Sequence, residues 1–264
     1  FEKIGEFRRK QGKAASEVAD ARDEFVRGEE ELKTRVPTLK VEYNQTLRTP
    51  EIIAPDAKKG RAFLTETSNS KRSEVLRRFS KDNNRLLGVT DEQLNQLKIS
   101  ADYTNPDGNL SFARLEQFVG DIPIFQGEIK AGLTKDGRII RVVNNLAAGL
   151  EYQNLSSDFR NPLDAVKAAA GYINHPLQEN ELIVNEGESD GNTIKFGKGD
   201  WSPVAEKMYF PVEPGVAIPA WRVLIWQPAD AFYVIVDAET GALLWRKVIT
   251  EHQTQPATFN IYAN

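Results

Sequence analysis

Cysteine is absent from the 264 residues of this chain. That excludes disulfides, thiolate metal ligands and a cysteine nucleophile, and it leaves the compartment open. Histidine is nearly absent too. His175 and His252 are the only two, and they lie far apart in the sequence. No apolar run reaches about 18 residues, the length at which a membrane span is read. No signal peptide is visible, and the chain opens at Phe1 rather than at a methionine. The expectation is an upstream segment that was removed or left out. Charge of one sign is not in excess. The net charge of -4 gives no reason to expect nucleic acid or an acidic membrane surface as partner. No GxxxxGK[ST] phosphate loop is present.

What is present belongs to a soluble globular chain: 40% hydrophobic and 27% charged residues, long enough for one large domain or two ordinary ones. Residues 1–35 read as one long charged helix, with Phe1, Ile4, Phe7, Val18, Phe25 and Leu32 as a thin apolar stripe and Pro37 ending it. A solvated helix packed by one edge is the plain reading, and a partner-binding helix is the livelier one. Leu39 to Tyr43 reads as a strand. Thr49-Pro50, Ala54-Pro55 and Lys59-Gly60 then mark a loop.

A helix is expected from Lys71 to Leu87, with Gly88 at its C-terminal cap, and a short helix follows under Thr90. Leu110 to Phe118, Ile122 to Ile129 and Arg138 to Asn144 read as strands of an antiparallel meander. Residues 150–161 look like a linker, after which Asn161 and Pro162 open another helix that stops near Gly171. Glu186 to Asp200 is polar and glycine-rich and reads as an exposed loop. The last third is β-rich: Glu206 to Pro211, Ala220 to Gln227, Ala231 to Asp237 and Ala242 to Ile249. The turn-plus-strand near residue 135 and its counterpart near residue 237 echo each other. Two related halves, or chance likeness between two hairpins, both account for that.

Three segments carry a resemblance. Leu76 to Gly88 is a helix ending in an aliphatic pair and a glycine. Leu110 to Leu146 holds the strand Ile122-Pro123-Ile124-Phe125-Gln126-Gly127-Glu128-Ile129 and the hairpin Lys135-Asp136-Gly137-Arg138-Ile139-Ile140. Ala220-Trp221-Arg222-Val223 pairs with Tyr233 to Leu244, which includes Asp237 and Gly241. In this order they resemble the fungalysin/thermolysin propeptide module followed by the PepSY-like, cystatin-like half of the same prodomains. Pro256 to Tyr262 resembles the strand with which the mature fungalysin peptidase begins; an ordinary frayed C-terminus is the plain alternative.

The resemblance implies an α+β fold: a long N-terminal helix over 1–37, then two tandem subdomains, each a helix packed on an antiparallel sheet. These are the propeptide module at 38–155 and the cystatin-like module at 156–249, with 250–264 as processing junction and first strand of a following peptidase domain. It implies structural roles for Gly88, Gln117, Pro123, Gly127, Asp136, Gly137, Trp221, Asp237 and Gly241. It places the junction at Glu251, His252, Gln253, Thr254 and Gln255. It further implies a secreted zymogen in which this chain covers the peptidase cleft, assists folding and is removed by proteolysis. The partner is then a peptidase domain in cis, or in trans after cleavage, and zinc belongs only to that partner.

The chain itself lacks the chemistry of such a peptidase. That chemistry takes two histidines one helical turn apart, a glutamate base and a third ligand. Neither His175 nor His252 sits in HExxH, so no catalytic residue, cofactor or metal ligand is expected here. His175, in Asn174-His175-Pro176, reads as a surface residue at a turn. His252 reaching a partner's zinc is the sharper alternative to a plain junction residue. Asp121 with Asp136, and Asp237 with Glu239, read as turn carboxylates rather than acid/base or calcium pairs. Trp201, Trp221, Trp226 and Trp245 read as core or sheet-face aromatics, with a sugar-stacking surface as the alternative. The competing class of function is a free-standing secreted binding module acting on peptidases in trans or on surface ligands.

Overall fold

The computed structural model describes residues 15–60 and 62–250. Helix α1 (Ala15–Arg35) buries Phe25 and Leu32 and leaves most of its charged groups at the surface. Glu24 with Arg27 and Glu29 with Lys33 pair along it at 2.7 and 2.6 Å. Such pairs add about 0.2–0.5 kcal/mol each, against about 1.5–3 kcal/mol for each large apolar side chain buried, so the stripe anchors this helix. The helix expected over residues 1–35 is described only from Ala15; residues 1–14 lie outside the described residues.

The fold is α+β, and the chain falls into two compact units. One holds the described residues up to Asp158, together with Lys207–Ala220. The other holds Phe159–Glu206 and the described residues from Trp221 onward.

In the first unit, β1 (Leu39–Tyr43) pairs with β2 (Pro50–Pro55). The loop expected at 50–55 is therefore a strand. Its prolines sit at the two ends, where a missing N–H interrupts the ladder least. Helix α2 (Arg72–Asp82) and the single turn α3 (Asn84–Leu87) replace the continuous helix expected from Lys71 to Leu87. Asn83 interrupts it. Its Nδ2 donates to Phe79 O at 2.7 Å, and its Oδ1 accepts from Arg35 Nη2 at 2.6 Å. Gly88 then closes α3 with φ +66. A Cβ at Gly88 would lie 2.6 Å from the Phe25 ring and 2.7 Å from the Ala148 methyl, so conformation and close approach both demand glycine. Helix α4 (Asp91–Gln96) opens on a reciprocal capping box between Thr90 and Gln93.

Strands β3 (Lys98–Thr104), β4 (Leu110–Val119), β5 (Ile122–Thr134) and β6 (Ile139–Asn144) complete this unit's antiparallel ladder in the order β3-β4-β5-β6-β2-β1. One parallel bridge, Ile124 to Tyr209, makes the sheet mixed. Leu32, Leu76, Phe79, Leu86, Leu115, Ile129, Leu133 and Val142 form the core between the helices and one sheet face. The segment expected as a linker is packed: Leu150 is buried, and its carbonyl accepts from Gln93 Nε2.

The second unit contains α5 (Pro162–Tyr172), capped by Asn161 Oδ1 on Leu163 N at 3.0 Å. Its strands are β7 (Thr193–Lys195), the start of β8 (Val204–Glu213), the end of β9 (Val216–Trp226), β10 (Ala231–Asp237) and β11 (Leu243–Val248). Val166, Ala169, Phe196, Trp221, Val223, Ile225, Val234 and Val236 are its buried apolar residues. Part of the loop expected at 186–200 is thus strand β7.

Candidate functional site

Between its register shifts, β4 and β5 of the meander alternate. Ala113, Leu115, Ile129, Ala131 and Leu133 point into the core. The residues between them form the opposite face. There Tyr103 stacks on Phe112 with ring centroids 5.3 Å apart. Gly132 lies beside the Phe112 ring, where a Cβ would be 3.9 Å from it. A shallow trough of about 500 Å³ runs across this face, lined by Ala101, Tyr103, Phe112, Arg114, Lys130 and Arg141 among others. Arg114 pairs with Glu116 at 2.8 Å and with Glu128 at 2.5 Å, and Lys130 also pairs with Glu128. The face therefore offers aromatic surface framed by fixed charges, which suits contact with another surface rather than bond-breaking.

The motif residues are held by local chemistry. Gln117, 1% exposed, clamps the segment after β6. Its Oε1 accepts from Ala147 N at 2.8 Å, and its Nε2 donates to Ala147 O at 3.3 Å and to Tyr152 Oη at 3.0 Å. Burial pushes the Tyr152 hydroxyl above its ordinary pKa. Pro123 pairs with Phe118 at the start of β5, across a register shift between Glu116 and Phe118. Gln126 has φ +53 and directly precedes the buried Gly127. Asp136 accepts from Thr134 and pairs with Arg138 at 2.6 Å, and these partners hold its carboxyl below the usual range. Gly137, next in the turn, has φ +79 and lies against the Ser68 carbonyl. Asp121 pairs with Lys98 at 3.0 Å, so it and Asp136 sit in separate turns with separate partners.

In the second unit, Trp221 is 1% exposed and donates its Nε1–H to Phe159 O at 2.6 Å. Asp237 accepts from Glu239 N at 2.6 Å and from Thr240 N at 3.0 Å, closing the turn that Gly241 completes. Burial raises the Asp237 carboxyl, and the two backbone N–H groups only partly offset it.

His175 is not a surface residue: its side chain is 12% exposed, with Nε2 3.7 Å from Glu181 Oε1. Trp201 is not a core or sheet-face aromatic; it is 64% exposed, in the turn between β7 and β8. The expectation that the chain holds no GxSxG is wrong, because Gly187-Glu188-Ser189-Asp190-Gly191 spells it. It is no nucleophile elbow, because Ser189 follows a 3-10 turn, precedes a bend, and gives its hydroxyl to Asn185 O at 2.7 Å. Asp102 escaped the sequence reading altogether. It caps α2 from β3, accepting from Ser73 N at 3.1 Å and Ser73 Oγ at 2.6 Å, which explains why Lys71 supplies no cap of its own. Burial opposes its charge, but these bonds and Arg72 outweigh it and lower the carboxyl's pKa.

Glu251, His252, Gln253, Thr254 and Gln255 lie outside the described residues. Among the described residues, no three or more His, Asp or Glu side chains gather as a metal site, and no helix is long and apolar enough to cross a membrane.

A family model, the Fungalysin/Thermolysin Propeptide Motif, matches residues 95–146, which are β3 to β6 with their flanks. The segments 76–88 and 220–244 that share the resemblance lie outside that match. No curated protein matches the chain. Among solved structures, the chain is similar to the Bacillus megaterium YpeB C-terminal domain. The identity is 13% and the TM-score 0.29, over 81% of this chain and 76% of that one.

Proposed function

We propose that this chain, which carries a fungalysin/thermolysin-type propeptide motif, is the prodomain of a secreted fungalysin-like zinc metallopeptidase. It keeps the peptidase inactive by covering its cleft, assists its folding, and is removed by proteolysis near Glu251 to Gln255. The observation that carries this is the propeptide motif at residues 95–146, seated on a sheet whose second face is built for contact. The open trough of Tyr103, Phe112, Arg114, Lys130 and Arg141 supports a surface partner.

An inhibitor in cis works with modest affinity. A short tether sets an effective concentration on the order of mM. A contact of intrinsic affinity near ~1 μM then keeps about 99.9% of molecules closed. Cutting the tether lowers the local concentration to that of the medium, and dilution releases the enzyme. The zinc and its ligands belong to the partner peptidase. This chain supplies rigid surface. In this reading the cystatin-like half, near residues 162–249, lies closest to the peptidase cleft.

The test is intact mass over time on the product of the whole reading frame, with and without a zinc chelator. A chelator-sensitive split near residues 250–258, coincident with peptidase activity, is expected. A single stable species that never yields peptidase activity overturns the proposal.

A further inference from the structure

The outer face of the meander is ordered in rows across its strands. Tyr103 of β3, Phe112 of β4, Gly132 of β5 and Arg141 of β6 stand opposite one another in register. Ala101, Arg114, Lys130 and Val143 form the next row in the same way. Cross-strand partners share a sheet face, so each row is a line of neighbours. The first row reads aromatic, aromatic, gap, cation. Gly132 is the gap: a Cβ there would meet the Phe112 ring at 3.9 Å and nothing nearer. Strands lie about 4.8 Å apart, so the backbones of Phe112 and Arg141 are about 10 Å apart with no side chain rooted between them. That leaves room for one side chain of a partner, seated on Gly132 between the Phe112 ring and the Arg141 guanidinium.

The cations on this face differ in what they have left to offer. Arg114 holds Glu116 and Glu128, and Lys130 holds Glu128. Arg141 is exposed and has no hydrogen-bonded or ion-paired partner among the described residues. Glu42 attracts it through space, but the Glu42 carboxylate is bonded to Lys40 at 2.6 Å. One uncommitted guanidinium beside aromatic surface selects a single carboxylate on an apolar stem, which its planar fork can grip with two parallel hydrogen bonds. A nucleic acid or an anionic lipid surface is disfavoured. Glu42, Glu116 and Glu128 share this face by register and repel a dense negative charge.

We infer that an aspartate or glutamate side chain on the peptidase docks over Gly132 and pairs with Arg141. The inference rests on the prodomain reading and names the chemistry of the surface this chain meets. The test uses the mature peptidase released from the whole reading frame, with this chain added back as inhibitor. Arg141→Glu should raise the inhibition constant at least about ten-fold. Arg141→Gln, which brings no new negative charge beside Glu42, should also weaken inhibition. Arg141→Lys should lose less than either, because the charge remains and the fork does not. Arg78→Glu makes the same charge change at an exposed site on α2, across the core from this face, and should leave inhibition unchanged. In 1 M salt, where the screening length is about 3 Å, the gap between parent and Arg141→Glu should narrow. An Arg141→Glu chain that inhibits like the parent, a loss matched by Arg78→Glu, or a gap that salt leaves unchanged would overturn the inference while the prodomain reading stands. A dimer of the parent chain that Arg141→Glu abolishes would make a second copy the occupant and overturn it too. A reading frame that never yields a peptidase removes the partner and overturns both.

Discussion

Replacing Gln117 by leucine keeps most of the side-chain volume and deletes three hydrogen bonds. The amide of Ala147 loses its 2.8 Å acceptor, and Ala147 is 4% exposed, so water cannot take over. An orphaned buried N–H costs about 1–3 kcal/mol. The 3.3 Å contact to Ala147 O and the 3.0 Å bond to Tyr152 are each worth less, about 0.5–1.5 kcal/mol, and the Tyr152 hydroxyl can rotate away. The expected loss is about 2–4 kcal/mol, whereas a residue that merely fills space would lose under about 1.5 kcal/mol on a swap of like volume. In a unit of this size that lowers Tm by roughly 5–15 °C. Urea unfolding followed by far-UV circular dichroism measures it. Tryptophan fluorescence, recorded alongside, reports the second unit, where all four tryptophans lie. Tyr152→Phe alone should lose about 0.5–1.5 kcal/mol, and much less on top of Gln117→Leu. A Gln117→Leu midpoint equal to that of the parent would refute the clamp.

Gly137→Ala places a Cβ 2.0 Å from Ser68 O at φ +79, whereas Gly108→Ala, at φ +68, meets nothing within 4 Å. The first should lose more than about 2 kcal/mol and the second about 1–2 kcal/mol, read from denaturation midpoints; equal losses would sink the packing argument. Asp102→Asn should cost about 1 kcal/mol at pH 7 by weakening the cap of α2. Because the folded carboxyl of Asp102 lies below its ordinary 3.8, its contribution is present above that value and fades as pH falls through the folded pKa; a parent–variant gap that persists undiminished to pH 2 would contradict this. Asp237 has the opposite sign: its folded pKa is raised above 3.8 by burial, so stability is lost as pH rises from that value through the folded pKa. Asp237→Asn, which keeps the turn acceptor, should be more stable than the parent at neutral pH and no more stable at about pH 3. A variant less stable at neutral pH would refute it.

Local rules were legible in this sequence. Thr90, Asn161 and Gly88 cap where their side chains, or the lack of one, dictate, and the apolar–polar pattern from Ile122 to Ile129 marks a strand, although its buried side changes parity at Gln126, between Ile124 and Gly127. Long-range partners were not legible. Asp102 caps a helix that begins 30 residues earlier, and nothing near Arg72 announces it. Pro50 and Pro55 punctuate a loop and a strand end equally well, and only the pairing with β1 and β6 decides. Asn83 looked like one more helical residue because its interruption depends on Arg35. The exposure of Trp201 was hidden for a like reason: indole composition speaks for burial, and the short turn between β7 and β8 overrides it. The trough on the meander was not legible, because it depends on β3, a strand that the sequence reading did not expect, and on the stacking of Tyr103 on Phe112.

The bridge between Ile124 and Tyr209 has a consequence for the order of synthesis. The first unit takes in Lys207–Ala220, so it remains incomplete until those residues have left the ribosome. At about 5–20 residues per second, the meander waits several seconds with the start of β5 short of its partner. A chain arrested before residue 207 carries the whole propeptide motif and still lacks part of the unit that houses it. Fragments that end at the apparent boundary near residue 155 should thus expose apolar surface at Ile124 and aggregate, and extension to residue 220 should relieve it.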